Sequence, residues 1–189
     1  MTATDLEIRG WLAGRVPPGR DLERPELAEL ASAIARERRF WEHLVHHVPD
    51  ERYYVQLHRD PHLDVWLICW LDSQKTGYHD HDVSSGGVHV CAGTLCEDRF
   101  NVSAEGLAHA TLHRHAGSSF HFDAAYIHGM RHGGGEPATS IHCYSPPLWR
   151  MGYYEPDESG ALCRSSLTYL DELAESAAPP GGTAARTSG

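Results

Sequence analysis

Residues 65–87 read VWLICWLDSQKTGYHDHDVSSGG, an apolar run, a polar loop, two histidines around one aspartate, and a serine–glycine turn. Seven apolar residues bounded by turn formers read as a strand too buried to alternate. On an extended chain, His79 and His81 project to the same side, whereas on a helix they do not share a face. Two imidazoles facing inward near the mouth of a barrel would be costly without partners, and a metal ion satisfies both. Imidazole suits Zn, Cu, Fe and Ni. The stretch therefore points to a β-rich fold with a metal at one end, and it raises the question of the remaining ligands. No carboxylate follows where many metal sites carry one, because the equivalent positions hold Ser85 and Gly86.

Working outward, short apolar or alternating runs occur at 53–57, 64–71, 87–91, 109–113, 119–122 and 138–144. Gly, Pro, Asp and Ser clusters separate them, the pattern of an antiparallel sandwich or barrel. Residues 1–50 read instead as a helical cap. Asp5 can cap a short helix through Trp11, and the VPPGR stretch at 16–20 breaks it. A second helix begins near Pro25 and carries Leu27, Leu30, Ile34, Trp41, Leu44, Val45 and Val48 at helical spacing, up to Pro49. Residues 51–173 form the barrel of the same single domain. The tail 174–189, AESAAPPGGTAARTSG, reads as disordered.

The chain has 189 residues, one domain by length, with 41% hydrophobic and 22% charged residues. Its net charge of −10 excludes a phosphate-tracking nucleic-acid binder, since no basic stripe offsets the repulsion. No apolar run reaches the length of a membrane span or a signal-peptide core, so the expected location is the cytoplasm. The five cysteines form no CxxC pair and read as free thiols. Of the 15 histidines most are bystanders. His43 and His47 stand i,i+4 near a helix end, where imidazoles are favourable without any metal. His113 and His115 form a second HxH that reads as a solvent-facing strand end.

The run from Trp70 to Gly86 resembles the first metal motif of the cupin superfamily, and in particular of cysteine dioxygenase-like thiol dioxygenases. The bacterial pattern WxxxQxTxxHDHxxSxG is matched by Trp70, Gln74, Thr76, His79, Asp80, His81, Ser84 and Gly86. AAYIHGMRH places His128 at the family's third iron ligand, and TSIHCYSPPL resembles its Ser-x-His-x-Tyr-Ser-Pro-Pro signature. The resemblance runs in order from about Arg52 to Leu148. It implies a cupin-type antiparallel β-barrel (jelly roll) with N-terminal α-helices, and a mononuclear Fe(II) held by His79, His81 and His128. It also implies a hydrogen-bonded triad of Ser140, His142 and Tyr144, which on a strand would share one face, and a cis Ser145–Pro146 bond. Asp80 would point away from the metal and brace its loop. Animal members carry a cysteine seven residues after the first ligand, cross-linked to the triad tyrosine. That position is Gly86 here, so Tyr144 is expected to be free of a thioether.

The implied activity is O2-dependent oxidation of a small thiol, L-cysteine first, to its sulfinate, by a monomer without nucleic-acid or membrane partners. The family binds the substrate carboxylate with an arginine or glutamine on the strand before VWLICW. In RYYVQLHRD, Val55 falls at the arginine position, leaving Gln56 or His58 as the expected partner, with Tyr54 on the same face and Arg59 ranked behind them. Two rivals stand beside this reading. One is a related three-histidine iron cupin that takes 3-mercaptopropionate or carries cysteine to a different product; the other is a non-catalytic metal-binding sensor.

Overall fold

A computed structural model of the chain describes residues 3–103, 106–157 and 162–168. Helix α1 (Ala3–Ala13) ends before the Pro17–Pro18 pair, and α2 (Arg24–Arg36) starts at the expected proline, with Glu26 accepting the Glu23 backbone N–H at 2.7 Å. That reciprocal contact satisfies an amide that the first helical turn would otherwise leave orphaned. The second helix stops earlier than its apolar spacing suggests. Glu37 leaves the helical conformation, and residues 38–40 and 42–44 form single 3₁₀ turns. The Trp41 indole donates back to the Ala35 carbonyl at 3.2 Å, folding the chain onto the helix end. His43 and His47 therefore share no helical face, and His47 Nε2 pairs with the Ala138 carbonyl instead.

Eleven described strands follow: β1 (Tyr53–Arg59), β2 (Asp64–Trp70), β3 (Tyr78–Asp80), β4 (Ser85–Ala92), β5 (Thr94–Ser103), β6 (Gly106–His115), β7 (Ser119–Phe122), β8 (His128–His132), β9 (Ala138–Ser145), β10 (Arg150–Pro156) and β11 (Leu162–Thr168). They form two antiparallel sheets, ordered β1-β2-β9-β4-β7 and β11-β10-β3-β8-β5-β6. This is the jelly-roll barrel of the cupins, with the helices at its N-terminal end of the chain. The residues assigned to the disordered tail lie outside the described residues. Among those described, no helix is long and apolar enough to cross a membrane.

Apolar packing divides into two cores. Leu27, Leu30 and Ile34 of α2 pack with Val65, Leu67, Ile141 and Cys143 on the outer side of the first sheet. Trp66, Trp70, Val88, Val90, Phe120, Phe122, Met130 and Tyr144 fill the barrel interior. Strand β9 is buried along its whole length because it serves both: odd-numbered Ile141 and Cys143 face the helix, and even-numbered Ser140, His142 and Tyr144 belong to the interior. The consecutive glycines of β4 make both contacts close. A Cβ on Gly87 would lie 2.3 Å from the Leu27 backbone carbon, and one on Gly86 would lie 2.2 Å from the Phe122 ring. One glycine seats the helix and the other admits an aromatic ring beside the site.

Candidate metal centre

His79 lies on β3 and pairs in register with His128, the first residue of β8, while His81 follows β3 by one residue. Neighbouring strands of the second sheet thus bring three imidazoles together, with one potential ligand nitrogen of each within 4.8 Å of the others. All three are buried. The His79 Nδ1–H donates to the Gly77 carbonyl at 2.8 Å, which leaves its Nε2 lone pair for the centre. His128 Nδ1 meets the Glu97 carboxylate at 3.2 Å, with the same consequence. Neither ring nitrogen of His81 has a hydrogen-bond partner among the described residues, and its ring is stacked on Phe122 at 4.6 Å. A fully buried imidazole with both nitrogens unsatisfied is costly, and a metal ion would supply a partner for one of them. The donor set fits a mononuclear site of three neutral histidines. Burial, and after it the neighbouring His128, pushes His79 down to about 3, so it stands uncharged and ready to ligate.

Across the barrel, β9 of the opposite sheet presents the three polar residues expected on one face. Their hydrogen-bond chain has one unambiguous donor. The Trp70 indole N–H donates to Ser140 Oγ at 2.9 Å. Ser140 Oγ pairs with His142 Nε2 at 2.9 Å, and His142 Nδ1 pairs with the Tyr144 hydroxyl at 3.2 Å. His142 is held neutral, pushed down to about 3 by burial and then by His128. A neutral ring donates at one nitrogen and accepts at the other, so His142 links Ser140 to the Tyr144 hydroxyl and orients it. The Tyr144 ring lies 5.3 Å from that of His81. At Gly86, opposite Tyr144 in register, there is no side chain to bond it, and the Phe122 ring fills the space.

A cavity of about 60 Å³ joins the two sets. His79, His128, His142 and Tyr144 line it, with Tyr54, Arg52 and the apolar Trp66, Ile68, Phe122, Met130, Leu148 and Met151 among the remaining walls. Tyr54, one of the three expected substrate-side residues, is among the lining residues. Gln56 and His58 do not line the cavity, which corrects the sequence expectation for both. Asp64, with no exposed surface, needs partners and captures Gln56 at 2.9 Å and the Arg59 guanidinium at 2.5 Å. A bulge between Gln56 and His58 then breaks the register, and His58 pairs with Asp60 at 2.9 Å. The cavity's cation is Arg52, which the sequence reading passed over. Its guanidinium lies 5.1 Å over the Trp70 ring, and its Nη1–H donates to the Lys75 carbonyl at 3.2 Å.

Asp80 braces the loop as expected. It accepts from the Tyr154 hydroxyl at 2.6 Å and from Arg164 Nε at 2.7 Å, tying β3 to β10 and β11. His113 and His115 are exposed, and the Ser145–Pro146 bond is cis.

Solved structures similar to this chain include an uncharacterized conserved protein with a double-stranded β-helix domain from Klebsiella pneumoniae, at 17% identity, covering 56% of this chain and 80% of that one, with a TM-score of 0.48. A cupin superfamily protein from Desulfitobacterium hafniense matches at 8% identity over 56% and 86% of the two chains, with a TM-score of 0.47. An oxalate oxidase in complex with the substrate analogue glycolate matches at 12% identity, with a TM-score of 0.46; 56% of this chain and 56% of that one are covered. The family comparison spans most of the fold and the entire site. Residues 21–156 match the cysteine dioxygenase type I family, and the chain belongs to that family.

Proposed function

We propose that this protein is an Fe(II)- and O2-dependent thiol dioxygenase that converts a small carboxylate-bearing thiol, L-cysteine first, to its sulfinate. The observation that carries the reading is the opposition of three buried imidazoles to a tyrosine hydroxyl at the end of a hydrogen-bond chain. His79, His81 and His128 would hold the iron. The chemistry such an ion supplies when bound is Lewis acidity toward a thiolate and redox access to O2. In the net reaction both atoms of O2 become bonded to sulfur. Sulfur loses four electrons and O2 gains them, so no external reductant is consumed.

The residues of the chain do the rest. Arg52 and Tyr54 reach the cavity from β1 and the residue preceding it, and a guanidinium there matches a substrate carboxylate. Packing over Trp70 and the bond to the Lys75 carbonyl hold Arg52 in place before substrate arrives. Apolar walls exclude water from the sulfur, and the His142 contact fixes the Tyr144 hydroxyl. At roughly 10–15 Å³ per water, the cavity corresponds to about five waters, which suits a thiol of a few heavy atoms. The test is to load metal-free protein with Fe(II) under anaerobic conditions, then admit O2 with cysteine, 3-mercaptopropionate or cysteamine. Mass spectrometry should show a gain of two oxygen atoms, with cysteamine the poorest substrate. Absence of any sulfinate sinks the reading, and a product other than sulfinate favours the related cupin chemistry.

A further inference from the structure

The first motif lacks a carboxylate, yet a buried one stands directly behind the centre. Glu97 on β5 is 1% exposed, in a barrel wall where an unpaired carboxylate would be strongly unfavourable. Both of its oxygens are occupied. Oε1 accepts from His128 Nδ1 at 3.2 Å, and Oε2 accepts from Arg114 Nε at 3.0 Å and Nη2 at 2.5 Å. Arg114 is the middle residue of the exposed His113–His115 pair on β6, and its guanidinium lies 4.3 Å over the Phe120 ring. Strand pairing sets the arrangement: Arg99 on β5 is opposite His128, and Glu97 is two residues along on the same face. Burial opposes ionisation of Glu97, but the His128 and Arg114 bonds hold its pKa below the usual value.

We propose that Glu97, clamped by Arg114, is a positioning residue of the metal centre: it holds His128 as the Nδ1–H tautomer with Nε2 toward the metal, and strengthens that imidazole as a donor. This rests on the metal reading above and deepens it. The three imidazoles are then unequal. His79 donates to a neutral carbonyl and His81 has no partner among the described residues, whereas His128 meets a carboxylate. A hydrogen bond to a carboxylate draws the Nδ1 proton outward and makes Nε2 more basic. Arg114 balances the carboxylate, so the centre gains a stronger ligand without a first-sphere negative charge.

The test uses Co(II) alone as the probe and needs no turnover. Competition against a chelator should give Glu97→Gln a dissociation constant about 10–100-fold weaker than that of the unsubstituted protein, with an altered visible Co(II) spectrum. An affinity within about twofold overturns the proposal. Should Glu97→Gln fail to fold, nitrogen-15 NMR on the unsubstituted metal-free protein decides. His128 should be protonated at Nδ1 in it, against the Nε2–H form favoured by free histidine, and the Nε2–H form overturns the proposal. His128→Ala separates the two claims. Loss of binding there with none in Glu97→Gln overturns the role of Glu97 alone; undiminished binding in His128→Ala overturns the three-histidine centre together with it.

Discussion

Tyr144 and Arg52 both line the cavity without being candidate ligands, and each has its own signature. Tyr144→Phe removes the end of the Trp70–Ser140–His142 chain while leaving the imidazoles in place. Turnover should fall about 10²-fold with metal content unchanged, checked by O2 uptake beside metal analysis. Arg52→Gln should raise KM for cysteine and 3-mercaptopropionate roughly 10–100-fold, as expected for losing a charged hydrogen bond. Its effect on cysteamine, which carries no acid group, should be small, and equal losses on all three thiols would assign Arg52 a structural role. The clustering of His79, His81 and His128 and the Ser140–His142–Tyr144 chain were legible in the sequence because these side chains sit at fixed spacings on extended segments. Arg52 was not, because it precedes β1 in the polar run PDER and nothing local separates it from a surface arginine. Gln56 misled for a related reason: it does lie in the expected strand, but the buried Asp64 competes for it.

At the scale of elements, β4 decides how the helical cap meets the barrel. Gly87→Ala would place a methyl group against the α2 backbone at Leu27 and Ala28, which cannot swing aside as a flexible side chain can. Overpacking of this kind costs about 1–3 kcal/mol, and at roughly 2–4 °C per kcal/mol for a chain of this size thermal melting should show a drop of several degrees. An unchanged midpoint would mean that α2 is free to ride outward. The strands β1, β2, β7 and β9 were readable from apolar runs, whereas β5 was not, since Glu97 and Asp98 interrupt TLCEDRF with two acidic residues. The residue that hid the strand is the one that backs His128. The end of α2 was misjudged because Trp41, Leu44 and Val45 continue the helical spacing, yet they pack against the same core from irregular turns.

For the whole molecule, the burial of neutral histidines couples folding to pH. His79 and His142 are pushed down to about 3, while the unfolded chain protonates such groups near 6.5. Between those values the unfolded state binds more protons, so the histidine contribution to the stability of the metal-free protein falls as pH drops through 6.5 and levels off below about 3. Each histidine contributes up to about 1.4 kcal/mol per pH unit in that window. Denaturant midpoints measured from pH 7 to pH 5 should decline with a slope that approaches three protons, since burial pushes His81 down in the same way, and His142→Gln should reduce it by one. Saturating metal should raise the melting temperature at pH 7, and the gain should shrink with acidity as protons compete for the ligands. Gly86 carries the last consequence. With a phenyl ring where a sulfur would be needed, the chain cannot build a covalent modification on Tyr144 through that position. The folded, metal-loaded protein is already in its finished form: it should run as one species on a denaturing gel before and after many turnovers, and its progress curves should start at full rate, without a maturation lag.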